Sequence, residues 1–187
     1  MSVRTSIVQL NCSTVETVDA RVERVMTLLD DLSGESDFVL LPELWNTGAF
    51  DLASCKVHAQ EINGPLPMAL AAKAREHRMW IHGGSFCERD GDSLFNTSVL
   101  FNSSGDLVAQ YRKVHVFTYA REQDTMTPGE QYVVVETPLG LTGLDTCYDT
   151  RFPEMFRRMR DAGAQAFLIP SGWPTTRIGQ WNSLLPA

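Results

Sequence analysis

The chain predicts a layered α/β sandwich. Strand-like and helix-like segments alternate along its length, and some neighbouring strands are joined by turns too short for a helical crossover. Alternation alone would give a wound parallel sheet. Short turns require antiparallel pairs, so the combination predicts mixed sheets packed in layers. The 187 residues, 43% hydrophobic and 21% charged, suffice for one domain, residues 1–187, with a sizeable core.

Residues 4–10 read as a first strand. Ser13-Thr14-Val15-Glu16 has the form of a capping box, with Ser13 at the cap and Glu16 three residues on. Val15, Val18, Val22, Val25, Met26 and Leu29 then mark one face of a long helix. Residues 38–41 form a continuous apolar strand. Pro65 opens a second helix, with Leu66, Ala69, Leu70 and Ala74 on its inner side. Residues 80–84 and 94–101 are strands, and Asn102-Ser103-Ser104-Gly105 is a hairpin-like turn into a strand at 107–111. Strands at 132–136 and 141–146, a helix opened by Pro153, a strand at 166–169 and an amphipathic stretch at 179–187 complete the chain.

The net charge of −7 argues against nonspecific nucleic-acid binding, which needs clustered cations. The one dense basic cluster, Arg157-Arg158-Met159-Arg160, reads as the solvated face of a helix. No apolar run is long enough to span a bilayer, and the N-terminus lacks a signal-peptide pattern. Four cysteines and four histidines show no metal-ligand spacing, so no metal and no cofactor are expected, and the cysteines read as reduced thiols of a cytoplasmic protein.

Three segments carry chemistry. Phe38-Val39-Leu40-Leu41-Pro42-Glu43 is an apolar strand that ends on a carboxylate. Lys113 comes directly after the strand at 107–111. Cys147 ends the strand at 141–146 and precedes a helix opened by Pro153. Ligands of α/β proteins gather at the carboxyl ends of strands. A helix start and a nearby cation lower a thiol's pKa, which predicts an activated Cys147. A carboxylate can take the thiol proton, and an ammonium can hold a developing oxyanion. Taken singly, each residue has an ordinary reading: a solvated glutamate, a surface lysine, a buried apolar cysteine.

Leu41-Pro42-Glu43, Tyr111-Arg112-Lys113-Val114-His115 and Cys147-Tyr148-Asp149-Thr150-Arg151-Phe152-Pro153-Glu154 resemble the three signature segments of the nitrilase superfamily, the carbon–nitrogen hydrolases. The order and the spacings of 70 and 34 residues also resemble that family. The resemblance implies a four-layer α-β-β-α sandwich. It implies a triad in which Glu43 is the general base, Lys113 stands on the oxyanion side and Cys147 is the nucleophile. Glu122 matches a second, pocket-shaping glutamate; its alternative is a solvated loop carboxylate. Trp173, by resemblance, borders the pocket as an apolar wall, with ordinary core packing as the alternative.

The Tyr148 backbone N–H, next to the nucleophile, is an expected oxyanion donor, while its ring reads as structural. Arg151 either binds a substrate carboxylate or pairs with Glu154 or Asp149. His115 reads as a support of the lysine turn. The implied activity is hydrolysis of a small non-peptide amide, with ω-amides of 2-oxo acids the nearest analogy. Nitriles, N-carbamoyl amino acids and acyl transfer use the same thioester logic and stay open. The expected partners are a small amide and further copies of the chain, with no nucleic acid and no membrane. Family members continue past residue 187 with further strands of the second sheet. The chain is therefore expected to be cut short, and an inactive fragment or a binding domain of the same fold is the rival reading.

Overall fold

The computed structural model describes residues 2–12 and 15–186. Among these residues, eight strands form two sheets. In the first, β1 (Thr5–Ile7), β2 (Phe38–Leu40) and β3 (Trp80–Asp90) run parallel. β4 (Ser93–Phe101) and β5 (Leu107–Arg112) then extend it antiparallel, in the order β1-β2-β3-β4-β5. The second sheet joins β6 (Val133–Thr137), β7 (Gly140–Leu144) and β8 (Ala166–Leu168). β6 and β7 are antiparallel, β7 and β8 parallel.

Side chains alternate across β2, and the alternation assigns the layers. Val39 and Leu41 face a cluster with Val25 and Leu29 of α1 (Val18–Asp31) and Leu66, Leu70 and Ala74 of α3 (Pro65–His77). Phe38 and Leu40 face the opposite cluster, with Leu100, Tyr111, Leu144 and Leu168, which lies between the sheets. α4 (Pro153–Asp161) closes the far side of the second sheet, where Phe156 meets Phe167 edge-on at 5.2 Å. Helix, sheet, sheet and helix are thus stacked in the expected order. A short α2 (Leu52–Val57) and α5 (Ile178–Leu184) complete the helices.

Several sequence expectations are corrected. The strand expected at 80–84 runs on to Asp90 and turns at Gly91 directly into β4. With Asp90 paired to Ser93, the loop is the two residues Gly91 and Asp92, and Gly91 takes the positive φ of 57° that such tight turns require. Helix α1 is capped by Thr17, whose side chain accepts from the Ala20 N–H. The predicted capping residue Ser13 lies outside the described residues. Glu16 instead pairs with Arg21 and Arg24, and Val15 is 91% exposed, off the buried face. Helix α2 has no counterpart among the sequence expectations; Asp51 caps it through the Ser54 N–H.

Candidate active site

Glu43, Lys113 and Cys147 come together from three strand ends. Leu41 and Pro42 carry the chain from β2 to Glu43. This turn is tight, because Leu44 adopts φ 44° and the Pro42 carbonyl passes over β3 at Gly84. A Cβ on Gly84 would lie 2.0 Å from that oxygen, and φ there is +62°, so only glycine admits the approach. Lys113 comes directly after β5 and is held to β4 through its N–H, which donates to the Asn96 carbonyl at 2.9 Å.

Cys147 has φ 50°, an unusual conformation for a non-glycine residue at an elbow. It opens a single 3₁₀ turn, Cys147–Arg151, and the α-helix starts only at Pro153. The expected α-helix N-terminus is therefore not at the sulfur.

Lys113 is the hub. Its ammonium donates to Glu43 Oε1 at 2.8 Å and to Glu122 Oε2 at 3.0 Å, with its side chain 2% exposed. Asn96 Nδ2 donates to both carboxylates, at 3.0 Å to Glu43 and 2.9 Å to Glu122. The Gly172 N–H, from the segment after β8, donates to the other Glu43 oxygen at 2.9 Å. Glu122 is buried, which sets aside its reading as a solvated loop carboxylate. It also accepts from the Phe117 N–H, closing the 117–122 loop around the lysine.

Sequence reasoning missed Asn96. Its signal was a lone amide among apolar and hydroxyl residues inside a strand, where an inward polar group needs partners.

The charge states are set by these contacts. Burial alone would raise the Glu43 pKa, but the Lys113 ammonium outweighs it and leaves Glu43 below its ordinary value. Burial alone would lower Lys113, but Glu43 and Glu122 outweigh it and leave the lysine raised. The Cys147 thiol is pushed well above its ordinary value, first by burial and then by the Glu43 charge, against a smaller opposing effect of Lys113. The resting centre is therefore carboxylate, ammonium and neutral thiol. This reverses the expectation of a lowered thiol pKa, since desolvation dominates where no α-helix start compensates.

Asp149 ties the lysine turn to the elbow. Its buried carboxylate accepts from Tyr111 Oη at 2.7 Å, the His115 N–H at 2.9 Å, His115 Nδ1 at 2.7 Å and the Thr146 N–H at 2.9 Å. His115 also stacks on Phe152 at 3.7 Å, so it supports the turn as expected. These contacts leave Asp149 no part in pairing with Arg151, and Glu154 pairs with Arg157.

Arg151 lies instead over Trp173, 5.0 Å from the ring centroid, and donates to Gln180. Cys147, Tyr148, Arg151 and Trp173 line one small pocket with Phe117 and Arg177. Trp173 is thus a pocket wall, and the Tyr148 ring, expected to be structural, lies on the pocket as well. The Tyr148 N–H is at the second position of the 3₁₀ turn, before the first bond of that turn, which the Asp149 N–H donates to the Thr146 carbonyl.

The four cysteines are free thiols, and no helix among the described residues is long and apolar enough to cross a membrane. Asp30, Glu76 and His77 converge on the outer helices, away from this centre, and the Lys73 ammonium already lies against Asp30 and Glu76.

A helix–sheet–sheet–helix sandwich with a buried carboxylate–ammonium–thiol centre at its strand ends defines a nitrilase-like protein. The profile described as carbon-nitrogen hydrolase matches residues 4–187, and the chain belongs to that family. It is 36% identical over 186 residues to a 2-oxoglutaramate amidase of Paenarthrobacter nicotinovorans, covering 95% of this chain and 63% of the relative. It is 30% identical over 190 residues to omega-amidase NIT2 of Danio rerio, covering 97% and 68%. Saccharomyces cerevisiae Nit3, of the nitrilase superfamily, superposes with a TM-score of 0.86 at 29% identity, over 97% of this chain and 69% of that one. The chain spans less than two thirds of the length of the Paenarthrobacter nicotinovorans relative, and likewise of a deaminated glutathione amidase of Yersinia enterocolitica and a 2-oxoglutaramate amidase of Bacillus subtilis, at 65% and 64%.

Proposed function

We propose that this centre hydrolyses the amide bond of a small carboxylic amide through a cysteine thioester. The carrying observation is the Lys113 ammonium clamped between two buried carboxylates beside a neutral thiol that opens on a pocket. As the substrate carbonyl arrives, Glu43 takes the thiol proton and Sγ bonds to the carbonyl carbon. The oxyanion is held by Lys113 Nζ and the Tyr148 N–H. The tetrahedral species collapses, the C–N bond breaks, and Glu43 delivers its proton to the departing ammonia. Water then enters, Glu43 takes one of its protons, and hydroxide attacks the thioester. The thiolate leaves and recovers the proton from Glu43, which restores the resting state.

Glu122 never gives up its charge in this cycle. It holds Lys113 in place and keeps it protonated, with Asn96 spacing the two carboxylates.

The pocket and the relatives together indicate the substrate class. Aromatic rings from Phe117, Tyr148 and Trp173 suit a short carbon chain. Arg151 supplies a fork for a terminal carboxylate. Two relatives are named for amidases of 2-oxoglutaramate or of omega-amides, and both are acid amides. The reading is therefore an acid ω-amide, with the acid and ammonia as products, in a cytoplasmic protein whose thiols are reduced.

Ammonia release from a panel of primary amides tests it. Wild type is expected to release ammonia, and Cys147→Ala to lose at least about a thousandfold, as expected when a covalent nucleophile is removed. Equal turnover by the variant would overturn the mechanism.

A further inference from the structure

Two guanidinium groups, not one, border the pocket at Cys147. Arg151 comes from the 3₁₀ turn after the nucleophile and lies over Trp173 and Tyr148, 5.0 and 5.7 Å from their centroids. Arg177 comes from a separate 3₁₀ turn, Thr175–Arg177, and lies over Tyr119 and Phe117 at 4.1 and 5.9 Å. Among the described residues, neither has a carboxylate within ion-pair distance. The neighbouring acids are engaged elsewhere: Glu43 and Glu122 with Lys113, Asp149 with Tyr111 and His115, Asp124 with Arg121 and Glu154 with Arg157. The Arg151 Nε is buried and has no acceptor among the described residues.

Stacking on a ring fixes the plane of a guanidinium without neutralising it, and leaves its N–H edge for an acceptor. In a chain of net charge −7, two such groups at one pocket draw anions to it. A single carboxylate accounts for one of them. The two arginines rest on different ring pairs from different turns, so each is set to receive its own acceptor.

We propose that Arg177 is a second anion-binding residue of this pocket, and that the preferred substrate is a primary amide carrying two carboxylates, one for each arginine. The proposal rests on amide hydrolysis at Cys147. It makes Arg177 a specificity-determining residue, remote from the bond that breaks.

The test measures kcat and KM for matched primary amides bearing zero, one or two carboxylates, with wild type, Arg177→Gln and Arg177→Lys. Wild type is expected to rank the amides by carboxylate number. Arg177→Gln should lose about tenfold or more in kcat/KM on the dicarboxylate beyond its loss on the monocarboxylate, chiefly through KM, in line with removal of one charged hydrogen-bonding group. Arg177→Lys should recover part of that loss. An equal loss on all three amides would assign Arg177 a packing role on Tyr119 and overturn the proposal. If wild type hydrolyses no amide, the amide reading fails separately, and calorimetry with glutarate decides the arginine alone. Weaker glutarate binding by Arg177→Gln than by wild type supports the second anion site; equal binding refutes it.

Discussion

At the scale of single residues, the centre is a set of charges that would be costly apart. A buried ammonium or carboxylate without a partner carries a desolvation penalty of several kcal/mol, and here each charge has at least two hydrogen bonds. The thiol is the exception, kept neutral by burial and by the Glu43 charge. Removing that charge with Glu43→Gln is expected to lower the Cys147 pKa. The ultraviolet thiolate titration, taken as a difference from Cys147→Ala, should move toward neutral pH in the variant. A titration that stays put or moves up would show that Glu43 does not hold the thiol neutral. Glu43, Lys113 and Cys147 were legible in the sequence, because each ends an apolar run with a reactive group. Asn96 was not, because an amide inside a strand declares itself only when its partners, 53 and 26 residues away, are folded against it. Arg177 escaped for the same reason: its ring partners Tyr119 and Phe117 sit on a distant loop.

At the scale of elements, the strands deliver the groups and short irregular segments aim them. The Pro42–Leu44 turn, the 117–122 loop and the 3₁₀ turn after Cys147 are all fastened by side-chain hydrogen bonds to neighbouring backbone. Asp149 is the fastening between two of the three strand ends that carry the buried centre. Asp149→Ala would take the acceptor from the buried Thr146 N–H and the half-buried His115 N–H and leave the Tyr111 hydroxyl only the Met155 sulfur at 3.9 Å, at about 1–3 kcal/mol each. A loss above about 3 kcal/mol in urea unfolding is expected on that basis, and a loss below about 1 kcal/mol would mean that water replaces the carboxylate. Long amphipathic helices and apolar strands were readable from period alone. The full β3–β4 hairpin was not, because the apolar-to-polar change at Glu88-Arg89-Asp90 looks like a strand end. In the fold, Glu88 is buried and paired with Arg112, so the strand continues through a charged residue that has its own partner. Helix α2, six residues long with one buried side chain, offers too little periodicity to be seen.

At the scale of the whole molecule, two buried titratable groups outside the centre pull stability in opposite directions with pH. His82, between the sheets, has both ring nitrogens buried without a side-chain partner among the described residues, and burial lowers its pKa from 6.5 to about 3. The unfolded chain binds that proton below pH 6.5 and the folded chain does not, so His82 makes stability rise with pH up to 6.5. Asp145 has both carboxyl oxygens buried without partners among the described residues, and burial, with the Asp149 charge, raises its pKa well above 3.8. There the folded chain keeps a proton that the unfolded chain loses, so stability falls as pH rises beyond 3.8. Each contributes up to about 1.4 kcal/mol per pH unit where it acts alone. Between about pH 4.5 and 6.5 the two slopes oppose one another. Asp145→Asn should therefore make the melting temperature rise with pH in that window, and His82→Leu should make it fall. Parallel slopes in both variants would contradict the assignment. The sheet order and the sandwich were readable in outline from alternation and motif order. These two groups were not, because only the closed sheet–sheet interface removes their water.

Whether a thioester on Cys147 lies on the path from amide to acid can be read by mass spectrometry of the acid-quenched protein and of its peptides. Wild type mixed with an acid ω-amide is predicted to gain the acyl mass on the peptide that holds Cys147, while ammonia is released. The adduct should be missing from Cys147→Ala treated in the same way. Ammonia release with no adduct in wild type, and unabated in Cys147→Ala, would rule out a cysteine thioester.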